Sequence, residues 1–468
     1  MMPSVMRKTP PPENSEAELL ALEREYCSFG DTVHYLEHPK IFERCEGSFL
    51  YDAAGTPFFD LQMWYSACNL GYANPQVNQA VKNQLDKLPQ IASQYLHREK
   101  IELAAKLAQG IEKRFGEKGR IHFNVGGSQA VEDSLKLVRN FKGGKSLVFA
   151  FEGGYHGRTL GASAITSSYR YRRRFGHFDR AHFIPFPYHF RGAPKGMSKE
   201  EYGLHCVKSF ERLFETEYYG VWDAKAKECE YAAFYIEPIQ GTGGYVIPPK
   251  NYFTELKKVL DKYGILLVCD EIQMGFYRTG KLFSIEHFGV KPDIIIFGKA
   301  LTNGLNPLSG VWAREALINP EIFPPGSTHS TFASNPLGTA AGLETLKILE
   351  SGDYENLVMK KGAYFLEGLK DLQKRFKIIG DVDGLGMALR VEICGADGFT
   401  PDKEMTDRIV DEAMKGDIKI AGKNYGLVLD IGGYYKNVIT LAPALTIGYE
   451  EIDLALNLLA EVFRRAAR

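Results

Sequence analysis

Six short apolar runs constrain this chain more than any other feature of it. They are GRIHFNV (119–125), KSLVFAFE (145–152), YAAFYIEP (231–238), GILLVCDE (264–271), DIIIFGK (293–299) and LSGVWA (308–313). Each is rich in β-branched or aromatic residues and too short for a buried helix, so each predicts a strand. Their apolar residues follow one another without alternation, so both faces of each strand must be covered. Helix-like patterns lie between several of them. In residues 251–263, for example, Phe253, Leu256, Val259 and Leu260 share one face. Strands alternating with helices from about residue 75 to 335 predict an α/β fold: a mainly parallel sheet flanked by helices on both sides.

At 468 residues the chain is too long for one small core. The expected division is an N-terminal arm and part of a small domain over 1–75, a large domain over 76–340, and the rest of a smaller α/β domain over 341–468. The helical pattern PLGTAAGLETLKILE (336–350) leads out of the large domain. A net charge of −1 gives no global attraction to nucleic acid or anionic membrane. No apolar run is long enough to span a bilayer. The opening MMPSVMRKTPPPENSEAELL lacks an apolar signal core and is expected to form an arm before the first helix. Seven cysteines, at 27, 45, 68, 206, 229, 269 and 394, form no CxxC pair. That suits reduced thiols in the cytoplasm, and the histidines lack zinc-ligand spacing, so no metal site is expected. His177 and His182 are read as surface or packing residues.

In open α/β sheets, ligands bind beyond the carboxyl ends of the strands. The residues that follow the apolar runs are Gly126-Gly127-Ser128, Glu152-Gly153-Gly154-Tyr155-His156, Glu237-Pro238-Ile239-Gln240, Asp270-Glu271-Ile272-Gln273 and Gly298-Lys299. All are expected on one rim.

Each piece has a plain reading and a chemical one. Lys299 follows Ile294-Ile295-Ile296-Phe297-Gly298 directly. It either reaches water from a loop or sits desolvated, loses its proton and becomes a nucleophile toward carbonyls. FNVGGSQAVEDSLKLVR passes from a strand through two glycines into a helix striped by Val131, Leu135 and Val138. Gly127 and Ser128 then either cap that helix or cradle an anion at its positive end. Asp270 either pairs with an arginine such as Arg278 or holds a protonated ring nitrogen. Tyr155 is either a core aromatic or a ring stacked on a planar ligand. An anion cradle, a stacking ring, a carboxylate for a pyridinium and a strand-end lysine together are the fittings of pyridoxal 5'-phosphate, an electron sink held by a lysine Schiff base. The combination decides for the catalytic reading of Lys299. His156 and Glu237, on the same rim, join the cofactor-binding set. GGKS (143–146) is a look-alike of a phosphate loop. It lacks the required glycine, having Arg139 there, and it precedes a strand, so it is read as a turn.

The motifs YDAAGTPFFDL, FNVGGSQAVEDSLKLVR, YHGRTLGAS, EPIQGTGG, CDEIQMGFYRTG, KPDIIIFGKAL and HSTFASNPLGTAAG occur in this order. In them the chain resembles the class III, or ω-amino-acid, aminotransferases, which use pyridoxal phosphate on the fold type I architecture. The resemblance runs from about residue 45 to the C-terminus. It implies that Lys299 is the Schiff-base lysine and proton shuttle, and that Asp270 binds the pyridine nitrogen. Gln273 lies near the ring hydroxyl, Ile272 and Tyr155 pack on opposite ring faces, and Gly127 and Ser128 bind the phosphate. Thr331 reaches the phosphate of a neighbouring subunit, which makes a homodimer the minimal active unit. Trp64 and Tyr65 line the substrate pocket.

Two departures from that pattern concern the substrate. Relatives that use 2-oxoglutarate often read EPIQGE, with a gating glutamate, where this chain has Thr242. They carry an arginine for the substrate carboxylate where NVITLAPALTI has Thr440. The two charges are missing together, so neither is left without its partner. Gln129 is a third change, at a position where many relatives have glutamate. SSYRYRRRFG supplies Arg170, Arg172, Arg173 and Arg174, either as a solvated loop or as a replacement anion site. The expected reaction is transfer of an amino group from an ω-amino acid, amine or neutral amino acid to a keto acid. The alternative is an amino-acid racemase or epimerase on the same scaffold, which needs no second, dicarboxylic substrate.

Overall fold

The computed structural model describes residues 15–28, 39–171 and 181–468. Residues 1–14 of the expected N-terminal arm, together with His177, Arg172, Arg173 and Arg174, lie outside the described residues, and the rest of that stretch opens helix Glu16–Tyr26.

All six predicted strands form, and they belong to one seven-stranded sheet. Its order is Gly119–Asn124, Ser309–Arg314, Ile294–Phe297, Leu266–Asp270, Tyr231–Ile236, Leu147–Phe151, His182–Ile184. Ser309–Arg314 runs antiparallel to both neighbours, and every other pairing is parallel. The seventh strand, His182–Ile184, was not foreseen, because three residues are too few to show a periodicity.

The unbroken apolar runs are explained by burial on both faces. Phe149, Phe151, Phe234, Ile236, Leu267, Cys269, Ile295 and Phe297 point into one core. Val148, Ala150, Ala233, Tyr235, Leu266, Val268, Ile294 and Ile296 point into the other. Helix Tyr252–Lys262 buries Phe253, Leu256, Val259 and Leu260 against the first core, as its pattern predicts. Helix Gly127–Phe141 buries Ala130, Val131, Leu137 and Val138 against the second, with Leu135 only half-buried at its edge. Each large side chain so buried contributes about 1.5–3 kcal/mol. The GGKS segment is a turn, with Gly143 and Gly144 both at positive φ.

The two ends of the chain meet in a second sheet. Pro57–Asp60 pairs in parallel with Lys423–Val428, setting Phe59 opposite Leu427 and Asp60 opposite Val428. A third sheet, Ile379–Leu385, Ala388–Ile393, Val438–Leu441 and Asp430–Gly432, is antiparallel throughout. Helix Pro336–Ser351 packs against Pro75–Lys87, Arg98–Phe115 and the turn Lys299–Thr302. Among the described residues, no helix is long and apolar enough to cross a membrane.

Candidate active site

The parallel strands deliver their terminal residues to one cavity of about 340 Å³. Its lining includes Trp64, Tyr65, Gly127, Ser128, Tyr155, His156, Glu237, Asp270, Ile272, Gln273 and Lys299. Each of the five expected segments thus reaches the cavity with part of its residues, whereas Glu271 turns away to Ser284 and Ile285.

Lys299 leaves the end of Ile294–Phe297 through an abrupt bend. Gly298 is extended, and Lys299 itself takes the left-handed region at φ 43°. A left-handed non-glycine residue costs about 1–3 kcal/mol and persists only where its surroundings impose it. Here the bend carries the side chain off the sheet edge and into the cavity. Burial lowers the affinity of its amine for a proton, against the opposing pull of Asp270, Glu237 and Asp430.

Asp270 closes the strand Leu266–Asp270. One carboxylate oxygen accepts from Ile272 N at 3.1 Å and the other stands 2.8 Å from His156 Nδ1. Burial alone would push the His156 imidazole down. The hydrogen bond to Asp270 and the charges of Asp270 and Glu237 outweigh it, so the imidazole holds its proton more tightly than usual. Arg278, the plain partner for Asp270, is engaged elsewhere. It is fully buried and donates to Ser66 Oγ, Asn69 Oδ1 and the carbonyls of Met387 and Pro443. Asp270 is thus a carboxylate supported by an imidazole and facing the cavity.

Glu237 accepts from Tyr155 N at 2.8 Å and Gly241 N at 2.9 Å. Burial pushes it up to about 7, with Asp270 adding to the shift and His156 and the two amide bonds opposing it. Gln273 donates to Tyr245 OH at 3.0 Å. Tyr155 lines the cavity with its ring edge-on to Tyr171, 5.2 Å away.

Helix Gly127–Phe141 begins at the cavity with no side-chain cap at Gly126. Its first-turn amides and the positive end of its dipole are available to an anion. Ser128 does not cap its own turn; its Oγ accepts from Arg158 N at 3.3 Å. A Cβ on Gly127 would come within 2.9 Å of Ile272 Cδ1, so any larger residue would push the tip of Ile272 aside. Ser309 Oγ, on the cavity wall, is buried without a hydrogen-bond partner. An uncapped helix start, an orphaned hydroxyl, a carboxylate and a lysine around one cavity fit a flat, phosphorylated, carbonyl-bearing heterocycle.

Trp64 and Tyr65 also line the cavity, on an unusual turn. Met63, Trp64, Tyr65 and Ser66 all have positive φ, from 46° to 65°. Asp60 holds the entry to this turn, accepting from Gln62 N at 2.7 Å and Met63 N at 2.8 Å, and Arg278 holds its exit through Ser66.

Three expected site residues lie outside the lining. Thr331 is exposed. Thr242 is half-buried, with its carbonyl accepting from Gly433 N at 3.0 Å. Thr440 is buried, and its hydroxyl donates to Asp430 Oδ2 at 2.8 Å. Asp430 itself was missed, although it ends the apolar stretch Gly426-Leu427-Val428-Leu429 much as Asp270 ends its own.

The family model for class-III aminotransferases matches residues 32–463. The chain belongs to the class-III aminotransferases. This enzyme family depends on pyridoxal 5'-phosphate, the group that the cavity fits. The alanine/serine racemase of Pyrococcus horikoshii is 35% identical, over 99% of this chain and 93% of that protein. The 5-aminovalerate aminotransferase DavT of Pseudomonas aeruginosa is 32% identical, over 92% of this chain and 95% of that protein. Among solved structures, an amine transaminase from an uncultivated Pseudomonas species in its PLP-bound form superposes with a TM-score of 0.81 at 26% identity. It covers 92% of this chain and 96% of that one. The fold is the fold type I architecture of these transaminases.

Proposed function

We propose that this class-III aminotransferase moves an amino group from an ω-amino acid, amine or neutral amino acid to a keto acid, with Lys299 as the residue that holds the cofactor and shuttles the proton. The observation that carries this reading is the convergence of the Lys299 amine, the Asp270–His156 pair and the uncapped start of helix Gly127–Phe141 on one cavity. Pyridoxal phosphate, when bound, supplies an aldehyde for the amino group and a ring that accepts the electrons of the broken C–H bond.

The chain's own residues do the rest. The amides at Gly127 and Ser128 take the phosphate, helped by the helix dipole. Thr331, exposed in the single chain, reaches the phosphate of a second subunit, so the working unit is a homodimer. Asp270, oriented by His156, keeps the ring nitrogen protonated. Tyr155 and Ile272 would enclose the ring, Gln273 would lie near its hydroxyl, and Glu237 would join the cofactor-binding set from the same wall. Lys299, its amine made less basic by burial, takes a proton from the donor carbon and returns it one position away. The seven unpaired cysteines suit a cytoplasmic home. The same reading divides the chain near residues 75 and 340.

A second reading is favoured by one observation, the 35% identity to an alanine/serine racemase across nearly the whole chain. In that case the proton returns to the carbon it left.

One experiment separates the two. The cofactor-loaded enzyme is given single amines and amino acids with no keto acid, and its absorption spectrum is followed. Transamination converts the cofactor to its aminated form with one carbonyl product per site. An isomerase leaves the cofactor unchanged while an added enantiomer loses its optical purity. If neither happens with any donor, the proposal fails.

A further inference from the structure

The turn after Leu147–Phe151 carries Tyr155 and His156 to the cavity, and it is gripped from two sides. On the cavity side, Tyr155 N donates to Glu237 Oε1 at 2.8 Å and His156 N to Thr166 Oγ1 at 2.9 Å. On the outer side the grip comes from another sheet. Strands Asp430–Gly432 and Val438–Leu441 form a hairpin, and Tyr434 in its turn donates to the Glu152 carbonyl at 2.8 Å. The same hydroxyl stands 3.1 Å from Gln240 Oε1, while Gln240 Nε2 donates to the Glu152 carbonyl at 2.6 Å. The Tyr434 ring lies against Gly153, where φ is 76° and a Cβ would overlap the ring.

The hairpin has a firm base. Gly433 N donates to the Thr242 carbonyl at 3.0 Å, which ties the hairpin turn to the segment that carries Glu237 and Gln240. Val438–Leu441 pairs with Ala388–Ile393, where Glu392 accepts from Tyr188 OH and, at 2.7 Å, from Arg191 Nε. Tyr188 and Arg191 follow the last strand of the seven-stranded sheet, so these bonds fix one sheet against the other. The Tyr434 hydroxyl is thus aimed at Glu152 before any ligand arrives. Between Glu152 and Tyr155 stand Gly153 and Gly154, which give the backbone little conformational preference of its own. The place of the Tyr155 ring is therefore set by what grips the turn at its two ends.

We propose that Tyr434 is a positioning residue that acts through the Glu152 carbonyl to hold the Tyr155 ring against the cofactor. This rests on the reading above in which Tyr155 encloses the ring of pyridoxal phosphate.

The test is a double-mutant cycle on the affinity for pyridoxal 5'-phosphate, measured by equilibrium dialysis. Tyr434→Phe keeps the ring on Gly153 and removes the hydroxyl. It is expected to weaken cofactor binding by about three- to tenfold. Tyr155→Ala is expected to weaken it further, and adding Tyr434→Phe to that variant should cost less than about twofold, because the group it positions is gone. A hydroxyl with a structural role alone would lower the unfolding midpoint and leave the affinity unchanged. Hydrogen exchange gives a second readout on the full chain without cofactor. Residues 152–156 should exchange about threefold or more faster in Tyr434→Phe than in the wild type. The role of Tyr434 is overturned if Tyr434→Phe binds the cofactor as the wild type does, if it costs the same in both backgrounds, or if exchange over 152–156 does not change. A loss in Tyr155→Ala beside none in Tyr434→Phe would overturn this role and leave the reading of Tyr155 standing. A wild type that takes up no pyridoxal phosphate would refute the cofactor reading and this role together.

Discussion

His156 and Asp270 stand 114 residues apart in the sequence and 2.8 Å apart at the cavity. The pair joins the turn after Leu147–Phe151 to the end of Leu266–Asp270, two strands separated by Tyr231–Ile236. With Arg278 committed elsewhere, the imidazole is the group that orients this carboxylate.

His156 is therefore a positioning residue. Replacing it with alanine removes a charge-assisted hydrogen bond worth about 1.5–3 kcal/mol. Cofactor affinity should fall by about ten- to a hundredfold in equilibrium dialysis, and His156→Gln, which keeps a donor, should recover part of it. Asp270→Asn should weaken the cofactor further and lower the rate severely. An Asp270→Asn enzyme of near-normal rate would exclude the electron-sink role given to the carboxylate.

Lys299→Ala should abolish turnover and the long-wavelength absorbance of lysine-bound cofactor. It should leave the fold intact, because alanine keeps the same Cβ and backbone demand at this position and removes only a side chain that lines the cavity. Circular dichroism and sedimentation check the fold. Full activity in this variant would mean that another amine does the chemistry.

Arg278 is a buried cation with no carboxylate partner among the described residues, and burial pulls it down to about 10. Its four hydrogen bonds tie Ser66 and Asn69 to the carbonyls of Met387 and Pro443. Arg278→Ala orphans those groups and leaves a cavity. The expected loss is about 3–5 kcal/mol in denaturant unfolding, with weaker donor binding because the Trp64–Tyr65 turn loses its anchor. A loss under about 1 kcal/mol would contradict this account.

Glu271 is fully buried and accepts from Ser284 N, Ser284 Oγ and Ile285 N. Burial pushes it up to about 7 from 4.5, with those bonds opposing the shift. The folded state therefore binds this proton more tightly than the unfolded chain. The stability it contributes is fully present below about pH 4.5 and is lost as pH rises to about 7, a change of about 3 kcal/mol. Measured against Glu271→Gln, the wild-type stability advantage should shrink across that window and level off above it. An advantage that grows with pH would reverse the assignment.

Much of the fold was legible because its cause is local. Ile294–Phe297 or Tyr231–Ile236 can be recognised as strands because burial on both faces demands unbroken apolar sequence. Residues at the ends of such strands, among them Asp270, Glu237 and Lys299, were legible as a site for the same reason. His182–Ile184 escaped because it is short, and the bond from Thr440 to Asp430 escaped because nothing local in the sequence pairs residues across two strands. The left-handed turn at Met63–Ser66 was invisible. None of its residues favours that conformation, and it exists because Asp60 and Arg278 hold its two ends.

By itself the sequence determined the alternating architecture and the cofactor class, and it set a lysine and an aspartate at strand ends, since these follow from apolar periodicity and from residue types at strand ends. Only the tertiary structure decided which groups are paired. It gave Asp270 to His156 rather than Arg278, committed Thr440 to Asp430, and folded Trp64 and Tyr65 into the cavity wall. Those choices depend on distances between residues far apart in the chain, and hydrogen bonds and charges act only once folding has brought such residues together.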